Sequence, residues 1–322
     1  MKVKAPQFWY SSQSLISWFF IPFALLYRLI TILLKTFYTF KFKNNKPFSV
    51  PIVVIGNVTV GGNGKTPLTI WLANQLKKKG FQPGLISRGY GGRTRNGFQV
   101  VTSNSNPRFV GDEAILLAKT NCPVVIGTDR LSAIAYLLRH FICNIVISDD
   151  GLQNYSLPRD IEIVVIDPDR KFGNGLCIPA GPLREPKSRI HLVDFLVTKK
   201  FRPVEIYQLK NPEKKIHFKK IKGKIIHAIA GLGNPESFFC QLELLGAKVI
   251  QHAFPDHYFY QRKDFQFSDD KIILMTEKDA VKCKDFNDER LFCLSVTLDV
   301  PKKFLRDFCQ KLEKYFKNFS KI

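Results

Sequence analysis

Thr59-Val60-Gly61-Gly62-Asn63-Gly64-Lys65-Thr66 sets three glycines ahead of a Lys-Thr pair. A chain turning through such glycines aims successive backbone N–H groups into one hollow, and the N-terminus of a following helix adds partial positive charge. Lys65 is then placed for the β and γ phosphates of a nucleotide, and the Thr66 hydroxyl for Mg2+. The match is a relaxed phosphate loop, because Thr59 stands where the strict pattern has glycine. Such a site also needs a carboxylate on the metal side. Asp149-Asp150-Gly151, after the apolar run 144 to 148, supplies two, although an Asp-Asp-Gly turn closing a strand is the plainer reading.

A phosphate loop names no reaction, since GTPases, motor ATPases and small-molecule kinases share it. Thr276-Glu277-Lys278-Asp279 has its lysine one position late for a guanine reader, so GTP is not supported. A kinase needs a group that orients or deprotonates the acceptor hydroxyl. Two candidates are Gly111-Asp112-Glu113, which holds the first carboxylates of the chain, and Phe254-Pro255-Asp256-His257-Tyr258. If they face one another across a cleft, Asp112 and His257 form a pair; a helix cap and a turn are the alternatives.

These residues need elements to hold them. Residues 51 to 56 read as a buried strand and 67 to 79 as a helix; strands at 81 to 87, 123 to 127, 144 to 148, 161 to 166 and 192 to 198 alternate with helices at 113 to 120 and 129 to 140. Residues 88 to 108 read as a loop and 201 to 224 as a junction. Beyond lie strands at 225 to 230, 248 to 252 and 271 to 276, with helices at 235 to 245 and 302 to 316. The expected fold is α/β: a P-loop NTPase-type doubly wound parallel sheet with a second, smaller α/β domain and an N-terminal membrane-associated helix. The expected division is 1–46, 47–200 and 201–322, the last unit closing the cleft.

The 322 residues suit two domains, and 49 Lys+Arg against 27 Asp+Glu leave a net charge of +22. No acidic residue precedes Asp112, so the excess is largely N-terminal. Such charge attracts phosphates, nucleic acid or anionic lipid alike. Seven scattered cysteines without a C-x-x-C pair read as reduced thiols of a cytoplasmic protein. Residues 15 to 34 are apolar enough to cross a bilayer at roughly 1.5 Å per residue, but Arg28 and Pro22 interrupt them, and Trp9, Tyr10, Trp18 and Tyr27 favour an interface. Lys2 and Lys4 in front would suit a secretory signal, yet no convincing cleavage site follows. Membrane attachment is favoured over a helix buried in the protein's own core because Lys41, Lys43 and Lys46 flank the run, suiting an anionic surface.

Gly56 to Pro67, Ser87-Arg88-Gly89-Tyr90-Gly91-Gly92, Gly111-Asp112-Glu113, Asp149-Asp150-Gly151-Leu152-Gln153, Gly181 to Pro186, Ala230 to Pro235, Phe254 to Tyr258 and Thr276 to Ala280 together resemble the ordered motif series of the tetraacyldisaccharide 4'-kinase (lipid A 4'-kinase) family. The resemblance spans residues 56 to 280. It implies an enzyme at the cytoplasmic face of the inner membrane that uses ATP and Mg2+ to phosphorylate the 4'-hydroxyl of an acylated glucosamine disaccharide 1-phosphate, giving lipid IVA. It further implies that Asp112 and His257 act as a dyad with the aspartate as base. Thr59, Val60, Gly61, Gly62, Asn63, Gly64, Lys65 and Thr66 bind ATP on this reading, and Thr66, Glu113, Asp149 and Asp150 surround the metal. Gln153, Arg184 and Glu185 fall on other active-site motif positions. Asn154 departs from the histidine the family commonly has there. The partners implied are the lipid acceptor and the membrane surface, with no specific nucleic acid. The loop carrying Arg88, Arg93, Arg95 and Arg108 is expected either to face phosphate or headgroups or simply to be solvated. Two rivals are a membrane-associated P-loop ATPase of the switch type, which leaves Asp112 and His257 unexplained, and a nucleic-acid-binding NTPase, suggested by charge alone.

Overall fold

The computed structural model describes residues 6–11, 14–42, 48–61, 64–92 and 97–319. Gly62, Asn63, Arg93, Arg95, Lys2, Lys4, Lys43 and Lys46 therefore lie outside the described residues. A short 3-10 turn (Gln7–Tyr10) precedes helix α1 (Leu15–Phe42), which is followed by β1 (Ile52–Gly56), α2 (Lys65–Lys78), β2 (Pro83–Ser87), β3 (Phe98–Val101), α3 (Pro107–Val110), α4 (Asp112–Ala118), β4 (Val124–Gly127), α5 (Arg130–His140), β5 (Ile145–Ser148), β6 (Ile161–Ile166) and β7 (Phe195–Thr198). The strands form one sheet in the order β3-β4-β2-β5-β1-β6-β7. All pairs are parallel except β3 with β4.

Ile52-Val53-Val54-Ile55-Gly56 is buried at every position, as a strand covered on both faces must be. One face of the sheet packs α2 through Leu68, Leu72 and Leu76 and α4 through Ile115 and Leu117. The other packs α5 through Ala133, Ile134 and Leu137. Strand β1 lies between β5 and β6, where the winding reverses direction, so the carboxyl ends of these strands open onto the crevice in which such sheets take ligands.

The second sheet is built from β8 (Phe201–Gln208), β9 (Lys215–Ile216), β10 (Ile225–Ala230), β11 (Lys248–Ala253), β12 (Ile273–Thr276) and β13 (Leu291–Leu298), with helices α6 (Glu236–Leu244), α7 (Glu277–Ala280) and α8 (Lys302–Phe319). Its order is β11-β10-β12-β13-β8-β9, with β8 antiparallel to both neighbours. The expected junction at 201 to 224 thus contains β8, and the expected loop at 88 to 108 contains β3. Both are only half covered, so they lack the unbroken apolar run that marks the central strands. Strand β13 was not expected at all. Helix α8 returns to the first sheet, where Phe304, Phe308 and Leu312 join the core formed by α2 and α4.

Among the described residues α1 is the one helix long and apolar enough to cross a membrane. It continues through Pro22 and lies along the protein body. Ser17 and Ala24 are buried on its inner stripe, Tyr27 donates to the Arg184 carbonyl at 2.9 Å, and Lys35 and Tyr38 line a cavity of about 390 Å3 farther along. Leu15, Trp18, Phe19, Phe23, Leu26 and Leu33 on the remaining faces are exposed, as is Arg28. All seven cysteines are free thiols.

Candidate active site

The phosphate loop leaves the carboxyl end of β1 and enters α2 through Gly64, whose φ of +80° lies in the left-handed region that favours glycine. A Cβ there would stand 3.0 Å from the Lys199 side chain. The first turn of α2 has no acidic residue of its own to oppose the positive end of that helix. Lys65 Nζ donates to the Gly61 carbonyl at 3.2 Å and lies 3.7 Å from Asp150. Arg184 reaches the same carboxylate at 3.4 Å. Two cations on one aspartate, beside a free helix N-terminus, form a cradle that suits the phosphates of ATP.

The two aspartates after β5 have separate surroundings. Asp149 is buried and accepts from Thr66 at 2.7 Å and Thr69 at 3.0 Å. Burial, reinforced by the nearby Glu113 carboxylate, pushes its carboxyl up to about 6. Asp150 sits in the left-handed region with φ of +49° and turns toward Lys65 and Arg184. Burial opposes its ionisation, but Lys65, Arg184 and Arg130 outweigh that and hold it below the ordinary carboxylate value. Arg130, itself buried, braces both residues by donating to the Asp149 carbonyl at 3.1 Å and the Asp150 carbonyl at 3.4 Å, and it also donates to Ser148 Oγ at 2.7 Å.

Of the expected metal positions, Thr66 and Asp149 touch, Asp150 is turned to the cations, and Glu113 is bonded to Lys278 at 3.2 Å. Among the described residues no group of three or more His, Cys, Asp or Glu side chains is arranged to hold a metal ion. Thr66 beside the Asp149 carboxylate is the kind of sparse oxygen set that Mg2+ takes from a protein.

Behind the loop, Gln153 donates to the Asn57 carbonyl at 2.9 Å and to Glu185 at 3.1 Å, and accepts from Arg184 at 3.2 Å. Glu185 is 2% exposed and paired with Arg189 at 3.1 Å, so it holds Gln153 in place from beneath the cradle. Asn154 accepts from Ser156 at 2.6 Å, a local turn contact. Val60 donates to the Pro182 carbonyl at 2.8 Å and Thr59 pairs with Leu183, tying the loop to the Gly181 to Pro186 motif.

Across the crevice, His257 Nδ1 lies 2.9 Å from Asp112 Oδ1 and 3.0 Å from Oδ2, although 145 residues separate them in the chain. Asp112 opens α4; His257 stands on the turn after β11 with φ of +60°. Burial would raise Asp112, but the His257 hydrogen bond and the charges of Lys278 and Lys282 hold its carboxyl below the ordinary value. Gly91 permits this approach, since a Cβ there would stand 2.9 Å from His257 Nδ1. Tyr90 meets the imidazole edge-on at 5.3 Å, and Arg108 lies 5.4 Å from the Phe259 ring.

A family model described as LpxK, tetraacyldisaccharide-1-P 4'-kinase, matches residues 16–313. The chain belongs to the tetraacyldisaccharide-1-P 4'-kinase family. It is 58% identical over 307 residues to a tetraacyldisaccharide 4'-kinase of Coxiella burnetii, covering 95% of this chain and 94% of the relative. To one of Nitrosococcus oceani it is 45% identical over 308 residues, covering 92% and 91%. It is similar to the crystal structure of LpxK from Aquifex aeolicus in complex with ATP, with a TM-score of 0.77 and 29% identity, covering 94% of this chain and all 100% of that one. Reading the motifs of this kinase family along the sequence missed Lys278, Lys282, Arg130 and Thr69. The first two had a signal: they stand at i and i+4 in the Thr276 to Ala280 motif and its extension, one face of a helical turn.

Proposed function

We infer that this protein transfers the γ-phosphoryl group of ATP to the 4'-hydroxyl of a tetraacylated glucosamine disaccharide 1-phosphate, giving lipid IVA in lipid A biosynthesis. The observation that carries this reading, beside family membership, is the Asp112–His257 contact at 2.9 Å, next to a Glu113 whose charge reaches the Asp149 that Thr66 bonds; a simple hydrolytic switch does not need such a base. Phosphoryl transfer asks a protein chiefly to position its reactants and neutralise charge. Lys65, Arg184 and the amides opening α2 receive the β and γ phosphates. Thr66 and Asp149, with Glu113 and Asp150 close by, would hold Mg2+, which would neutralise charge on the phosphates. Asp112 takes the proton of the 4'-hydroxyl while that oxygen bonds to the γ-phosphorus and the bond to the ADP oxygen breaks; His257 keeps the carboxylate in line.

The acceptor's acyl chains keep it in a bilayer, so the kinase works at a surface. The exposed apolar faces of α1 suit contact with the cytoplasmic face of the inner membrane, and its packed inner stripe favours lying in the interface over crossing it. On this reading the catalytic cleft lies between 47–200 and 201–322, α8 being returned to the first unit. The deciding experiment incubates the purified chain with labelled ATP and the tetraacyl disaccharide 1-phosphate in mixed micelles and separates the lipids. Label in a product carrying one more phosphate is expected. ADP release that ignores the lipid, with no labelled lipid, would sink the kinase reading in favour of a switch ATPase.

A further inference from the structure

Lys278 enters the site from α7, and nothing in the reading above gives it a task. Its Nζ lies 3.0 Å from Asp256 Oδ1, 3.2 Å from Glu113 Oε1 and 3.4 Å from His257 Nε2. The side chain is 14% exposed, with the carboxylates of Glu113 and Asp256 both within 3.2 Å of its ammonium. One turn later, Lys282 lies 3.9 Å from Asp112 Oδ2 and is committed to Asp279 at 2.8 Å. Asp279 is fully buried and anchored by the Gly231 N–H at 3.0 Å and Thr276 Oγ1 at 2.7 Å. The backbone that carries Lys278 is thus held rigidly against the dyad.

We propose that Lys278 is the positioning residue of the catalytic dyad: it fixes the His257 tautomer and ties the dyad to Glu113 across the cleft. An ammonium only donates hydrogen bonds, so its contact at Nε2 calls for a lone pair on that nitrogen, while the Asp256 carboxylate, 3.7 Å from Nε2, is itself engaged by Lys278 at 3.0 Å. The ring proton then resides on Nδ1, where it donates to Asp112 at 2.9 Å. In the opposite tautomer Nδ1 presents a lone pair to the carboxylate, and the bond that orients the base is lost. The bond to Glu113 adds a second constraint, since Glu113 follows Asp112 on α4 while Lys278 and His257 belong to the other unit. This inference rests on the proposed kinase reaction, but its first test does not need the lipid.

The full chain in detergent, labelled with 15N-histidine, is examined by NMR at neutral pH, with His257→Ala assigning the signal. The Nδ1–H tautomer is expected in the native chain, with loss of that single tautomer in Lys278→Met. An Nε2–H tautomer or an imidazolium in the native chain would overturn the proposal. Steady-state kinetics then separate positioning from folding: Lys278→Met should lower kcat by about 10²-fold with KM for ATP little changed, and Lys278→Arg should recover much of it. Combined with His257→Ala, Lys278→Met should add little, because both act through one unit. Undiminished kcat in Lys278→Met, or a double variant showing the full product of the two losses, rejects the role. If the Met variant does not fold, Lys278→Ala, which removes both the donor and the charge, is read by the same criteria. A native chain that shows the expected tautomer but phosphorylates no lipid would refute the proposed reaction and leave the positioning of His257 standing.

Discussion

At the scale of single residues, the site separates carboxylates by environment. Asp112, facing His257, Lys278 and Lys282, is held below the ordinary carboxylate value; Asp149, buried with Thr66 and near Glu113, is pushed up to about 6. Asp112→Asn keeps the shape and removes the charge, so kcat is expected to fall by roughly 10² or more with ATP affinity little changed. Unaltered kcat with the lipid acceptor would remove Asp112 as base. The pH dependence belongs to Asp149. Its folded value lies above the ordinary value of about 4, so as pH falls through about 6 the carboxylate takes up a proton and its hold on a cation is lost. Mg·ATP affinity is therefore expected to drop below about pH 6, up to tenfold per unit from this group. Titrating Asp149→Asn in parallel removes the nucleotide's own ionisation; if both curves have the same slope, Asp149 is not the group responsible.

At the scale of elements, α1 stands apart from the others. A helix buried by its own core would hide its apolar side chains, whereas Leu15, Trp18, Phe19 and Phe23 are exposed and one stripe alone packs on the body. Removing residues 1 to about 45 is expected to give a more soluble protein that loses activity on vesicle-borne lipid, because surface attachment scales with buried apolar area. The Tyr27 bond to the Arg184 carbonyl at 2.9 Å gives the helix a second connection, next to an arginine of the phosphate cradle. ATP binding measured on the truncated protein separates the two effects: retained binding with lost lipid turnover supports the membrane role, and full lipid turnover refutes it.

At the scale of the whole molecule, the Asp112–His257 pair exists only because α4 of the first unit and the turn after β11 of the second come together. Helix α8 leaves the second sheet to complete the first sheet's core, with Phe308 fully buried beside Phe304 and Leu312. This makes the units interdependent. Phe308→Ala opens a cavity in the first core and is expected to cost about 3–5 kcal/mol. Urea unfolding should show a lower midpoint, with ATP binding lost over the same range; an unshifted midpoint would mean that α8 contributes no stability to the nucleotide-binding unit.

The parallel strands of the first sheet and the phosphate loop were legible along the chain because their signals are local: an unbroken β-branched run such as Ile52 to Ile55, then glycines, then Lys65-Thr66. Strands β3 and β8 were not, since a half-covered strand with one polar face carries no such run. The Asp112–His257 pair stood between these cases. Its residue types were visible, but the contact spans 145 positions, and spacing could not distinguish it from a cap and a turn; only the family motif series favoured it. By itself, then, the sequence determined what is encoded within a few neighbours: strand, turn, helix start, basic N-terminus and apolar helix. Tertiary structure alone decided that Asp149 meets Thr66 while Asp150 turns to Lys65 and Arg184, that α8 crosses back to the first sheet, and that Lys278 reaches His257 and Glu113 together. Such choices depend on which buried faces match and which charges can be paired once water is excluded, and no stretch of chain carries that information alone.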